Sequence, residues 1–355
     1  MIPPDRRPPV AQRKIDHLQA FDKDPLIERH GPGFDQIRLT HRALPNLDPD
    51  AIDTGTSFLG RDISFPLIIS SMTGGDGAVV RRINRRLARA AEATGIAMAV
   101  GSQRVMFCSG AARDSFDLRP LAPGVPLVAN IGAVQLNTGL DAGACRAAID
   151  VLAADGLYLH LNPLQEAVQP EGDRNFAGLA DAIAQLVRQM PVPVLLKEVG
   201  AGLSGADIRC GLKAGVRHFD VAGRGGTSWS RIEYHRRTDD ADDLGLVFQD
   251  WGLTTIEALR EAAPLLRAAT GPTTLVASGG IRNGIDMAKA MILGADLCGM
   301  AAPFLAAARD STAAVTARIR RTKREFKTAL FLLGCANCAS LKGNESLLLR
   351  GEHHR

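Results

Sequence analysis

Aromatic side chains are scarce in this 355-residue chain, at 12 Phe, 2 Trp and 2 Tyr. That argues against the stacking platforms that hold single-stranded nucleic acid. Charge of one sign is scarce too: 42 Lys and Arg against 38 Asp and Glu leave a net +4, too little for a protein built to coat nucleic acid. No run approaches the roughly 18 uninterrupted apolar residues of a membrane span. The opening Met-Ile-Pro-Pro-Asp-Arg-Arg-Pro-Pro lacks the apolar core of a secretory signal. Six cysteines (Cys108, Cys145, Cys210, Cys298, Cys335, Cys338) are too sparse and irregular for a disulfide framework. The expectation is a soluble, cytoplasmic protein with no nucleic-acid or membrane partner.

What is present is an ordinary globular composition, 46% hydrophobic and 23% charged, with 36 glycines. The length allows two or three small domains or one large barrel. Residues 1 to about 12 are rich in Pro and Arg and are expected to be disordered. From residue 63 onward, β-like apolar runs alternate with helical stretches. The runs are Phe65–Ser70, Ile96–Val100, Leu127–Asn130, Gly156–Leu161, Val194–Glu198, His218–Val221, Thr274–Ser278 and Asp296–Met300. Helices are expected over Val79–Ala93, Phe176–Met190, Ala206–Ala214, Ile256–Ala268 and Ile285–Leu293, whereas Cys108–Pro120 makes a poor helix.

Eight such units in about 250 residues are the tally of a TIM (β/α)8 barrel. A doubly wound sheet is the alternative, but Met72-Thr73-Gly74-Gly75-Asp76-Gly77 after the first strand is no G-x-G-x-x-G. The division expected is an N-terminal extension (1–62) reaching the substrate site, the barrel (63–310), and C-terminal helices and tail (311–355), with a long helix over Thr312–Leu333. The loop 223–253 is far longer than the usual few residues. Its stretch Arg236–Asp243 fits either a mobile lid or a solvated surface.

A barrel places its chemistry at the C-terminal ends of its strands, and there the polar residues gather. Ser278-Gly279-Gly280 opens a helix, where amides and the helix dipole favour a phosphate, unless the glycines serve only a tight turn. Lys197 is an ionisable group inside an apolar strand. It can be a Schiff-base nucleophile, a phosphate contact, a cation facing an electron-rich cofactor ring, or a structural neighbour of Glu198. His160, Asn162, Gln165 and Glu166 form one polar run, with Glu166 a candidate magnesium ligand and His160 an acid–base candidate or a satisfied structural histidine. Arg13, Lys14 and His17, with Arg104, can close over an anion or stay solvated. Cys335-Ala336-Asn337-Cys338 lacks the second pair that zinc needs and reads as buried thiols.

Together, Arg13-Lys14-Ile15-Asp16-His17, Met72-Thr73-Gly74-Gly75, Gly101-Ser102-Gln103-Arg104, His160-Leu161-Asn162-Pro163-Leu164-Gln165-Glu166, Lys197-Glu198-Val199-Gly200, Gly225-Gly226-Thr227-Ser228-Trp229 and Ser278-Gly279-Gly280-Ile281 resemble the type II, FMN-dependent isopentenyl-diphosphate isomerases. The likeness runs from Arg13 to about Gly334. It implies FMN contacts from Met72, Thr73, Gly74, Ser102, Asn130, Lys197 and Thr227, with Gly279, Gly280 and Ala301 near its phosphate. It implies a diphosphate substrate held by Arg13, Lys14, Arg104 and Gln165 and lined by His160 and Asn162, and magnesium on Glu166. His160, Gln165 and Lys197 are the catalytic candidates, and NADPH would serve as reductant. A homo-oligomer is expected, of a size no motif gives.

The rival readings fit less well. A 2-hydroxy-acid oxidase needs a histidine base near Gly225-Gly226, where only Arg224 stands. An inosinate-type dehydrogenase needs a cysteine in 223–253, which has none. A class I aldolase on Lys197 leaves Gly279-Gly280 and Arg13-Lys14 unexplained.

Overall fold

All eight apolar runs form strands, and the strands close on themselves. The structure, a computed structural model, describes residues 17, 19–72, 75, 77–237 and 242–349. An antiparallel hairpin, β1 (Thr56–Phe58) and β2 (Arg61–Ile63), comes first. The barrel follows with β3 (Leu67–Ile69), β4 (Ala97–Ala99), β5 (Leu127–Gly132), β6 (Gly156–Leu161), β7 (Val194–Glu198), β8 (His218–Asp220), β9 (Thr274–Ser278) and β10 (Leu297–Met300). Neighbours in the chain are neighbours in the sheet, all parallel, and β10 pairs back onto β3. This is the TIM barrel expected from the sequence.

Parallel strands in a barrel are buried on both faces, which is why they read as near-continuous apolar runs. Alternate side chains point inward. One inward layer is apolar: Ile68, Val128, Tyr158, Leu195, Val276 and Leu297 pack with Phe58 and Ile63 of the hairpin, which therefore stoppers the N-terminal end. Two residues further along five of these six strands the inward positions turn polar, at Ser70, Asn130, His160, Lys197 and Ser278, joined by Asp220. The register puts His160 beside Lys197 and Lys197 beside Asp220. Period two thus carries the floor of the site directly out of the core.

Outside the strands lie α1 (Ala78–Thr94), α2 (Ala142–Leu152), α3 (Pro163–Val168), α4 (Leu179–Val187), α5 (Gly205–Lys213), α6 (Trp229–Tyr234), α7 (Leu244–Val247), α8 (Thr255–Arg267), α9 (Gly284–Ile292), α10 (Ala302–Asp310) and α11 (Thr312–Leu333). The helix expected from Phe176 starts only at Leu179, because the chain is left-handed at Gly178 (φ 67). Cys108–Pro120 makes short 3-10 turns around Gly110–Ser115 rather than an α-helix. Helix α11 ends at Gly334, as its sequence suggests.

The 223–253 loop carries α6 and α7. Arg236 is turned inward, paired with Glu233 and with Glu171, and Arg237 pairs with Asp242. These two arginines are therefore not a solvated surface, while residues 238–241 lie outside the described set.

Candidate active site

The C-terminal mouth of the barrel opens into a cleft of about 1680 Å³ including its entrance. Met72, Ser102, Arg104, Asn130, His160, Asn162, Gln165, Glu166, Lys197, Thr227, Gly279, Gly280 and Ala301 all line it. Every candidate residue within the described set is thus brought to one cavity. Arg13, Lys14, Thr73 and Gly74 lie outside that set.

The floor is a buried polar quartet. Lys197 Nζ lies 3.1 Å from Asp220 Oδ2 and donates to Ser278 Oγ at 3.2 Å. Ser278 Oγ in turn donates to Asp220 Oδ1 at 2.5 Å, and the Tyr158 hydroxyl donates to Asp220 Oδ2 at 3.2 Å. Burial, with the Asp220 charge, pushes the Tyr158 phenol well above its usual range. Lys197 is therefore a partnered ion at the rim of the core, which explains how an apolar strand tolerates it.

One wall is built by β6 and α3. Asn130 donates its side-chain N–H to Val100 O at 3.0 Å, so its Oδ1 faces His160 Nδ1 at 2.8 Å. That assigns a proton to Nδ1. Asn162, Gln165 and Glu166 stand at i, i+3 and i+4 around the first turn of α3 and share a face. Asn162 Nδ2 donates to Gln165 Oε1 at 3.0 Å and to Glu166 Oε1 at 2.9 Å. The Asp173 amide donates to Glu166 Oε2 at 2.6 Å, and Arg104 pairs with Asp173 at 2.9 Å.

Two carboxylates that sequence reasoning did not single out complete the wall and floor. Asp220 shares the inward parity of β8, so a buried acid beside Lys197 was readable from the strand pattern. Glu233 had no such signal, since its place depends on how the long loop folds. It accepts from Gln165 Nε2 at 2.7 Å and sits 3.3 Å from His17 Nε2. Burial pushes the Glu233 carboxyl up, but the His17 and Arg236 charges and the Gln165 bond outweigh it and hold it at about 2. His17 also meets Trp229 edge-on at 5.3 Å.

At the far rim, Gly279 and Gly280 take φ 102 and 77, and a Cβ on Gly279 would lie 2.0 Å from Gly223 O. The turn is held by its own neighbours, and the helix expected to open at Ser278-Gly279-Gly280 starts only at Gly284, after the Asn283 cap. Glu28, from the segment before the hairpin, accepts from Thr227 Oγ1 at 2.7 Å and pairs with Arg282.

Ser70 Oγ, Ser71 Oγ, Gln135 Oε1 and Asn162 Oδ1 line the cleft, buried and without a partner among the described residues. Buried polar atoms are normally satisfied. Four orphans around one cavity fit a polar ligand of cofactor size.

Comparison with known proteins accounts for the fold and the cavity together. The family of FMN-dependent dehydrogenases matches residues 20–113 and 161–348. An isopentenyl-diphosphate delta-isomerase of Paracoccus zeaxanthinifaciens is 68% identical, covering 96% of this chain and 97% of that protein. The chain belongs to the isopentenyl-diphosphate delta-isomerase family. The isomerase of Hydrogenovibrio crunogenus is 55% identical over 96% of this chain and 98% of its own length. Among solved structures, a flavocytochrome b2 variant superposes with a TM-score of 0.70 at 18% identity, covering 94% of this chain and 82% of that one. A chimera of (S)-mandelate dehydrogenase gives 0.66 at 18%, covering 96% and 99%. Those two share the barrel with the isomerase family. No helix among the described residues is long and apolar enough to cross a membrane.

Proposed function

We propose that the protein converts isopentenyl diphosphate to dimethylallyl diphosphate, with FMN on the Lys197 floor and the diphosphate against the Arg104–Glu166 wall. The observation that carries the reading is the opposition of these two sets across one cavity. A cation-bearing floor suits an electron-rich ring. A wall of Arg104, Asn162, Gln165 and Glu166 suits a diphosphate and its metal.

The reaction adds a proton at one carbon and removes one at another, with no net oxidation. Reduced FMN, when bound, would supply the acid–base chemistry that an alkene requires. Lys197, fixed by Asp220 and Ser278, would offer its ammonium to an electron-rich edge of the flavin. Ser70, Ser71 and Gln135 have the unsatisfied atoms to bind the cofactor's polar groups. His160 holds a proton on Nδ1 toward Asn130, while Asn162 and Glu233 clamp the Gln165 amide from both ends. Phe21, Trp229 and Ile232 give the cleft an apolar side for the five-carbon chain.

Glu166 would hold magnesium from one side. Among the described residues no three acidic, His or Cys groups cluster, so diphosphate oxygens and water would complete the shell, the usual habit of this ion. A reductant such as NADPH would prime the flavin without being consumed in each turnover. A homo-oligomer acting on this small diphosphate completes the proposal.

The test is turnover of isopentenyl diphosphate with FMN, magnesium and NADPH, omitting each in turn. Product only with all three present is the expected result. Bound flavin without product would overturn the isomerase reading and turn attention to hydroxy-acid oxidation, for which Gly223–Trp229 provides no histidine.

A further inference from the structure

Arg29 lies outside the barrel in sequence, yet its side chain is only 8% exposed and ends between the loops that rim the cavity. Its Nε donates to Gly226 O at 3.1 Å, Nη1 to Gln249 O at 2.9 Å, and Nη2 to Thr227 O at 3.1 Å and to Gly200 O. The backbone adds to this: Arg29 N donates to Gly226 O at 3.1 Å and Ser228 N to Ile27 O at 2.8 Å. One planar fork therefore ties the β7 loop, the Gly226-Thr227 turn after β8, and the end of the long loop. Lysine, with a point charge and three donors, cannot span the same set.

No carboxylate lies within ion-pair distance of Arg29 among the described residues. Glu198, Asp250 and Glu28 act on it from beyond that distance, and Glu198 is also linked to it through the main chain. Gly200 O accepts from Arg29, and the N–H on the other side of that same peptide, Ala201 N, donates to buried Glu198. Gly202 N reaches the same Glu198 Oε2 at 3.1 Å. A single peptide unit is gripped at its oxygen by a cation and at its hydrogen by an anion. Such an arrangement fixes the β7 loop in position and orientation, and Gly200, Gly226 and Thr227 all line the cleft.

We propose that Arg29 is a positioning residue of the cofactor site, a guanidinium from the N-terminal segment that sets the spacing of the two loops against which FMN lies. It touches neither cofactor nor substrate in this role. It acts through the carbonyls of Gly200, Gly226 and Thr227. The claim concerns the flavin cradle whatever the substrate, so its failure is separate from failure of the isomerase reading.

The experiment is FMN binding to the apoprotein, followed by quenching of flavin fluorescence, for wild type, Arg29→Ala and Arg29→Lys. Arg29→Ala should weaken FMN about tenfold or more, since four loop carbonyls lose charged donors. Millimolar guanidinium should restore much of that affinity in Arg29→Ala and leave wild type unchanged. Arg29→Lys should keep the fold by circular dichroism, bind FMN weakly and show no rescue. FMN affinity within twofold of wild type in Arg29→Lys would overturn the proposal, as would an Arg29→Ala defect that guanidinium does not relieve. Should Arg29→Ala fail to fold, Arg29→Lys alone decides between these outcomes.

Discussion

Lys197 and Asp220 form an ion pair at 3.1 Å in which neither side chain is more than 7% exposed. Each ion is costly to bury alone, and removing one partner of such a pair leaves the other uncompensated. Asp220→Ala is therefore expected to destabilise the protein by about 3–5 kcal/mol. The double variant Lys197→Met/Asp220→Asn should cost much less than the sum of its single changes. Urea unfolding of wild type, Lys197→Met, Asp220→Asn and the double variant measures the coupling, and additive losses would refute it.

Acid stability should report Glu233. Its carboxyl is held at about 2 against an ordinary value of 4.5. A depressed carboxylate stabilises the fold above the unfolded value and loses that contribution as pH falls from about 4.5 toward 2. The size is on the order of 3 kcal/mol. Glu233→Gln should flatten the loss of stability across this window. Unfolding free energies from pH 5 to pH 2 provide the measurement, and parallel curves would count against the assignment.

Glu166→Gln keeps the shape of α3 and removes the carboxylate proposed for magnesium. Turnover at fixed magnesium should fall by about 10²-fold or more, in line with the cost of misplacing a substrate group. FMN affinity should stay within twofold, because Glu166 belongs to the wall and not the floor. Unchanged magnesium-dependent turnover would sink the metal role.

Gly279→Ala places a methyl group 2.0 Å from Gly223 O at a backbone φ of 102. The turn has to move, at a cost of about 1–3 kcal/mol. A displaced phosphate turn should erase much of the preference for FMN over riboflavin. Comparing the two flavins' dissociation constants checks this, and a preserved ratio would mean the phosphate lies elsewhere.

The barrel was legible because its strands are buried on both faces and punctuated at each end by glycine and polar residues. The floor was legible through Lys197, a charge that an apolar strand cannot hold without a partner or a use. Asp220 was within reach of the same parity argument. Glu233, Arg29 and Glu28 were not, because their partners in the site lie far along the chain, Gln165 being 68 positions from Glu233 and Arg282 254 from Glu28. No local period encodes such meetings. The 3-10 turns after β4 escaped for a related reason: a segment without apolar periodicity takes its shape from what it packs against.

The apolar layer that packs on Phe58 and Ile63 fills the barrel below the polar floor, so the cleft has a single mouth. Traffic through a single mouth is last in, first out. A flavin held on the Lys197 floor, as proposed, would have to arrive before a diphosphate bound above it. Product would then leave many times while the cofactor stayed, its exit blocked by each new substrate. Residence of the flavin would thus be a matter of plumbing as well as of affinity.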